Sequence, residues 1–146
     1  MQSFLRFDYT GHGESSEEFL AGCIGDWASD AIFALDRLTE EPQILVGSSM
    51  GGWIMLLAAL ARPERIAGLV GIAAAPDFTE DLTWADFTPE QKEALEQDGR
   101  VAIGNDYDDG ENYIITQKLI EDGRKNLLLR SEIALDCPVR LIHGLQ

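Results

Sequence analysis

Gln43-Ile44-Leu45-Val46-Gly47-Ser48-Ser49-Met50-Gly51-Gly52-Trp53 decides the fold of this 146-residue chain. Residues 43–47 are too short for a helix and rich in branched side chains, so they read as a strand, apolar on both faces as in a parallel sheet. Beyond them Trp53, Leu56, Leu57 and Leu60 recur at helical spacing until Arg62-Pro63 ends the run. A strand therefore passes directly into a helix through Gly47-Ser48-Ser49-Met50-Gly51, a G-x-S-x-G segment in the context that a nucleophile elbow requires.

Working outward, residues 66–73 form a second strand of the same kind. Upstream, Leu20, Ile24, Trp27, Ala31, Leu35 and Leu38 recur at spacings of 4, 3, 4, 4 and 3, which predicts a helix that stops before Pro42. Ser15 and Glu18 have the form of a capping box at its start. Residues 4–8 read as a buried strand, followed by the loop Tyr9-Thr10-Gly11-His12-Gly13. Strand, helix, strand, helix, strand with crossovers of this length predicts a mostly parallel sheet covered by helices, an α/β fold.

After Pro76 the pattern changes, and an insert of about residues 77–130 is expected. Thr88-Pro89 with Gln91 predicts an N-cap, a first-turn proline and a helix over 89–98. Residues 101–103 and 113–115 flank Asp108-Asp109-Gly110 and pair as a small hairpin, with a short helix over 119–125 behind it. Cys137-Pro138 then introduces residues 139–143, one more buried strand. The length fits one domain over 1–146, with no internal repeat.

Composition narrows the function. Eleven basic residues against 26 acidic ones leave a formal net charge of −15, which repels phosphate backbones and anionic lipid surfaces. The acid is uneven: residues 77–111 hold 12 carboxylates against Lys92 and Arg100, a solvated acidic face. The most apolar helix, over 53–61, is too short to span a bilayer. Cys23 and Cys137 form neither a disulfide framework nor a CxxC pair. The N-terminal residues lack a basic start and an apolar core, so a cytoplasmic protein is expected, or one in an organelle whose targeting segment is absent.

The chemistry centres on Ser49. Glycine spacing puts it at the apex of the elbow, with Ser48 at the x position, and the N–H of Met50 at the helix N-terminus is aimed to stabilise an oxyanion. The plainer reading is a turn with an N-cap serine. Other constellations fail: Asp106, Asp108 and Asp109 before Gly110 suggest a calcium loop, but that register puts Tyr107 at a ligand position and Thr116 where the bidentate glutamate belongs. Two isolated histidines and two distant cysteines make no zinc site, and Gly11-His12-Gly13 lacks the continuation of a dinucleotide loop. No cofactor or metal is implied.

Three segments together resemble the α/β-hydrolase superfamily across the whole chain. Residues 6–15, RFDYTGHGES, resemble its R-x-D-x-x-G-x-G-x-S segment; residues 43–53, QILVGSSMGGW, are similar to the elbow of the branch of palmitoyl-protein thioesterases and acyl-glucuronide esterases; residues 137–144, CPVRLIHG, resemble the strand that delivers the catalytic acid. The resemblance implies a partial α/β-hydrolase fold with residues 77–130 as a lid, and acyl transfer to water from small-molecule or acyl-protein esters or thioesters. Ser49 is then the nucleophile and Met50 an oxyanion donor. Serine at the apex sets the chain apart from relatives that open epoxides or carbon–halogen bonds with an aspartate there. In the family the acid follows in a G-x-x-D pattern, and Gly144-Leu145-Gln146 stops one residue short of it. The family's histidine lies further on, and neither His12, in a loop, nor His143, at a strand end, replaces it. With the first strands also expected ahead of Met1, the chain reads as the middle of a longer enzyme. The competing expectation is a non-catalytic fragment or interaction module that keeps the hydrolase scaffold. Phe78, Trp84 and Phe87 either line an acyl pocket or pack the insert.

Overall fold

The computed structural model describes residues 3–104 and 112–144. Its order follows the apolar periods closely. Helix α1 (Ile24–Leu38) leads to strand β1 (Gln43–Ser48), helix α2 (Met50–Ala61) and strand β2 (Ile66–Ile72). The two strands pair in parallel with Leu45 opposite Leu69 and Ser48 opposite Ile72. A last strand, β5 (Val139–Ile142), pairs in parallel on the far side of β2, with Leu69 opposite Val139. The sheet order is therefore β1-β2-β5.

Two expectations near the N-terminus fail. Residues 4–8 form no strand, since no ladder among the described residues reaches them, and Phe4 is 84% exposed. The capping box at Ser15 is also absent: the Ser15 hydroxyl donates to the Asp8 carbonyl at 2.9 Å. A 3₁₀ turn (Phe19–Ala21) intervenes, and the helix begins after Cys23. The break lets Trp27 fold back, its indole N–H donating to Thr10 O at 3.0 Å and its ring lying so close to Gly22 that a side chain there would overlap it.

The sheet departs from the expected two-sided burial. Leu35 of α1, Met55 and Ala59 of α2 and Ile66 and Leu69 of β2 form one buried cluster, against which Leu45 and Val139 pack. Both helices thus cover one face. On the other face Ile44, Val46, Ile72 and Ile142 are 57%, 58%, 40% and 57% exposed, and no element among the described residues lies over them. Strand β5 is correspondingly exposed over Arg140–Ile142 rather than buried.

The insert follows its predicted elements. Helix α3 (Pro89–Asp98) carries a complete capping box, Thr88 Oγ accepting from Gln91 N at 3.2 Å and Gln91 Oε1 from Thr88 N at 2.9 Å. It ends at Gly99, whose φ of 72° is the left-handed cap that glycine favours. Strands β3 (Arg100–Ile103) and β4 (Tyr113–Thr116) pair antiparallel, and helix α4 (Gln117–Lys125) follows. The predicted Asp108-Asp109-Gly110 turn and the three aspartates of the dismissed calcium loop fall on residues 105–111, outside the described residues. A π-helical turn (Thr79–Trp84), not anticipated, opens the insert.

The insert shares its core with the body. Ile24, Trp27, Trp53 and Ile54 form one buried cluster with Phe87, Leu95, Ile115, Leu119 and Ile120. Polar residues on α4 and at its C-cap reinforce it. Lys118 reaches Asp26 at 2.8 Å, Asp122 accepts from the α1 amide of Gly25 at 2.7 Å, and the carbonyl of Asn126 accepts from the Trp53 indole at 3.0 Å. Because i and i+4 share a helix face, Lys118 and Asp122 grip α1 from one side of α4, while the cap residue Asn126 holds α2 through its backbone carbonyl.

Candidate active site

One residue, Ser49, separates the last residue of β1 from the first of α2. Turning a strand into a helix in a single step forces its backbone to φ 49°, ψ −122°, a region that residues with a Cβ rarely occupy. Three hydrogen bonds hold it there. Ser49 N donates to Ile72 O at 3.1 Å, and Ser49 O accepts from Gly52 N at 2.9 Å and from Ala75 N at 3.1 Å.

The glycines around Ser49 answer to close packing. A Cβ on Gly47 would overlap the Gly51 carbonyl oxygen and lie 2.6 Å from its carbon, so β1 and the first turn of α2 touch backbone to backbone. A Cβ on Gly52 would lie 2.8 Å from Ala74 Cα. Gly51, the closing glycine of the G-x-S-x-G pattern, is different: a Cβ there would meet only the Tyr9 hydroxyl, at 3.8 Å.

Ser49 occupies the N-cap position of α2, yet its side chain makes no capping bond. In the plain turn reading the hydroxyl would serve the helix. Ser48 and Ser49 are both exposed, while Met50 is half-buried against the insert-side core. Met50 opens the helix, where the first N–H groups have no intrahelical acceptor and the dipole is positive. No acidic residue sits in that first turn to neutralise it.

Neither histidine is set up as a base. The His12 ring stands edge-on to Phe19 and Trp27 at 5.0 Å and to Tyr9 at 5.7 Å, with Nδ1 3.3 Å from Thr10 O. It is a packed loop residue. His143 follows β5 and is exposed. The phenol of Tyr9, beside Gly51, is held above its ordinary pKa by burial and by Asp30. Among the insert aromatics Phe87 is core and Phe78 is edge-on to Trp53 at 5.8 Å. Trp84 has Arg124 4.5 Å and Lys92 5.0 Å from its ring centre. All three take part in packing, Phe87 buried and Phe78 and Trp84 half-buried. Among the described residues no group of three or more His, Cys, Asp or Glu side chains is placed to hold a metal.

Sequence reasoning missed the strap of residues 73–77. Ala73 and Asp77 have φ of 44° and 60°, and the strap meets both Ser49 and Gly52. The run Ala73-Ala74-Ala75 was its only local signal, since small side chains mark a close approach. Asp77 entered only as one charge in an acidic stretch, although it is fully buried.

Comparison with known proteins places this geometry. The family model for the alpha/beta hydrolase fold matches residues 2–115. The chain belongs to the α/β-hydrolase fold family. Palmitoyl-protein thioesterase ABHD10, mitochondrial, from Rattus norvegicus is 43% identical over 99% of the chain and 48% of its own length. A solved structure from Agrobacterium vitis S4 superposes with a TM-score of 0.88 at 39% identity, over 93% of this chain and 54% of that one. The mouse alpha/beta hydrolase domain-containing protein 10 superposes at 0.84 and 39%, over 95% and 55%. The chain thus spans about half the length of the relatives it matches, a partial α/β-hydrolase fold. The cytoplasmic expectation is overturned, because the matched thioesterases are mitochondrial. Residues near Met1 carried no information on compartment in a chain that spans only half of such relatives. No helix among the described residues is long and apolar enough to cross a membrane.

Proposed function

We propose that the chain carries the nucleophilic half of a serine hydrolase that cleaves carboxylic esters or thioesters, Ser49 being the nucleophile and the Met50 N–H an oxyanion donor. The observation behind this is the Ser49 backbone: strained between β1 and α2, braced by three hydrogen bonds, with a hydroxyl that is exposed and caps nothing. In this reading Ser49 Oγ attacks the acyl carbonyl while a histidine takes its proton. The alcohol or thiol leaves with that proton, and water then hydrolyses the acyl-enzyme. His12 is packed among Tyr9, Phe19 and Trp27, and His143 lies exposed beyond β5, so in this reading the base and its orienting carboxylate come from the part of the fold that the chain does not span. The palmitoyl-protein thioesterase relatives favour a thioester carried by a protein or a small molecule. In this reading the insert of about residues 77–130 serves as the lid, which the packing of Phe87, Leu95, Ile115, Leu119 and Ile120 with Trp53 and Ile54 of α2 supports.

A fluorophosphonate probe tests the reading. In the full-length protein Ser49→Ala abolishes labelling, whereas Ser48→Ala leaves a reduced signal. Labelling that survives Ser49→Ala refutes the assignment and favours the alternative, a scaffold kept for interaction.

A further inference from the structure

We propose that Asp77 is a positioning residue for the elbow: its buried carboxylate pins the strap of residues 73–77 that braces Ser49. The inference rests on Ser49 being the nucleophile and goes beyond it. Among the described residues four non-glycine positions have positive φ, and three of them, Ser49, Ala73 and Asp77, lie in this one piece of structure. Such conformations persist only where the surroundings hold them. The strap touches the elbow twice, through Ala75 N on the Ser49 carbonyl and through Ala74 against Gly52.

Asp77 holds the other end. Its side chain is 0% exposed, and its oxygens accept the N–H groups of Leu128 and Leu129, both at 2.8 Å. Its carbonyl accepts Glu80 N at 3.0 Å and Asp81 N at 2.9 Å, opening the π-helical turn. The amides it takes are themselves fixed. Leu127 and Leu128 pack on the core that contains Trp53, and the Trp53 indole holds the carbonyl of Asn126. The connections close on themselves, from Ser49 through Ala75 to Asp77, across to residues 126–129, and back through Trp53 into α2. A carboxylate suits this place because it offers two acceptor oxygens to two N–H donors. An amide would present its own N–H₂ to one of them.

Arg130 is peripheral. Its contact with Asp77 is 3.5 Å and it is chiefly engaged by Asp81 on the surface.

Asp77→Asn and Asp77→Gly test the proposal in the full-length protein, the glycine variant tolerating the φ of 60° while removing the carboxylate. We expect kcat for a short p-nitrophenyl ester and the rate constant of fluorophosphonate labelling at Ser49 to fall at least about tenfold, with KM within about twofold. Arg130→Ala is expected to stay within about twofold on both. A rate constant separates positioning from folding, because misfolded molecules lower the amplitude of labelling and leave its rate alone. A lower thermal midpoint with an unchanged rate constant overturns the proposal, and so does failure of both variants to fold, since the carboxylate would then serve the fold alone. Labelling that persists in Ser49→Ala would instead sink the nucleophile reading, an outcome distinct from normal labelling at Ser49 in Asp77→Asn.

Discussion

Three glycines in six residues should respond very differently to a single methyl group. Gly47→Ala places a Cβ inside the Gly51 carbonyl and 2.8 Å from Gly52 N, and Gly52→Ala places one 2.8 Å from Ala74 Cα. In both cases the obstacle includes backbone, so a strand and a helix, or a helix and a strap, have to part by most of an ångström. Overpacking typically costs about 1–3 kcal/mol, and with backbone as the obstacle about 3 kcal/mol is the appropriate figure for each. Gly51→Ala meets only the Tyr9 hydroxyl at 3.8 Å, an ordinary contact. In a helix, alanine in place of glycine is worth about 0.5–1 kcal/mol in the stabilising direction. With an unfolding entropy of about 2.1 cal/mol/K per residue, about 3 kcal/mol in a protein roughly twice as long as this chain lowers the thermal midpoint by about 5 °C, the loss expected for Gly47→Ala and for Gly52→Ala. Gly51→Ala should leave it level or raise it by about 1–2 °C. Differential scanning fluorimetry of the three full-length variants, with urea titration to check that m is unchanged, measures this directly. Equal losses at all three positions would show that the G-x-S-x-G spacing matters as a pattern, and the contact argument would be wrong.

Two further outcomes follow from local geometry. Thr88→Ala removes the side-chain half of an intact capping box and should cost about 1 kcal/mol in urea unfolding; no change would mean that α3 is held by packing alone. Burial pushes the Cys23 thiol up from 9.0 to about 11, with the neighbouring Asp26 and Asp122 carboxylates adding to the rise. The folded thiol therefore stays protonated while the unfolded one ionises, so its contribution is complete below about pH 9 and is lost as pH rises through about 11. Iodoacetamide at pH 8 should then modify Cys137 well before Cys23, as peptide mapping would show.

What was legible in the sequence is what neighbours in the chain decide. The start of helix α3 could be placed because Thr88, Pro89 and Gln91 signal within one turn. The strand-to-helix turn at Ser49 was legible because Gly47 and Ser49 sit where strand period gives way to helix period. Failures came where distant residues compete. Ser15 had the spacing of a capping box, yet its hydroxyl goes to Asp8 and α1 starts later, because Trp27 reaches back to Thr10. The motif pointed to Gly51, whereas the contact with Ala74 makes Gly52 the constrained position, a fact set by residues more than twenty places away. Asp77 meets Leu128 and Leu129 across some fifty residues, and no period or motif encodes such a meeting.

The uncovered face of the sheet sets two forces against each other in the 146-residue chain. Ile44, Val46, Ile72 and Ile142 form a contiguous apolar surface, since Val46 pairs with Val70 and Ser48 with Ile72, which in turn pairs with Ile142. Among the described residues strands β1 and β5 are both edges, with no neighbouring strand on their outer sides. These features favour self-association, while a net charge of −15 opposes it. Salt decides between them. The Debye length falls from about 30 Å at 0.01 M to about 3 Å at 1 M, so repulsion fades while burial of apolar surface does not. Sedimentation velocity should therefore show mostly monomer at low salt and concentration-dependent association, or aggregation, at high salt. Val46→Thr with Ile142→Thr should weaken the association without altering its direction with salt. A monomer that melts in one sharp, concentration-independent transition at every ionic strength would mean that this face is covered or harmless, and that the chain buries an adequate core without it.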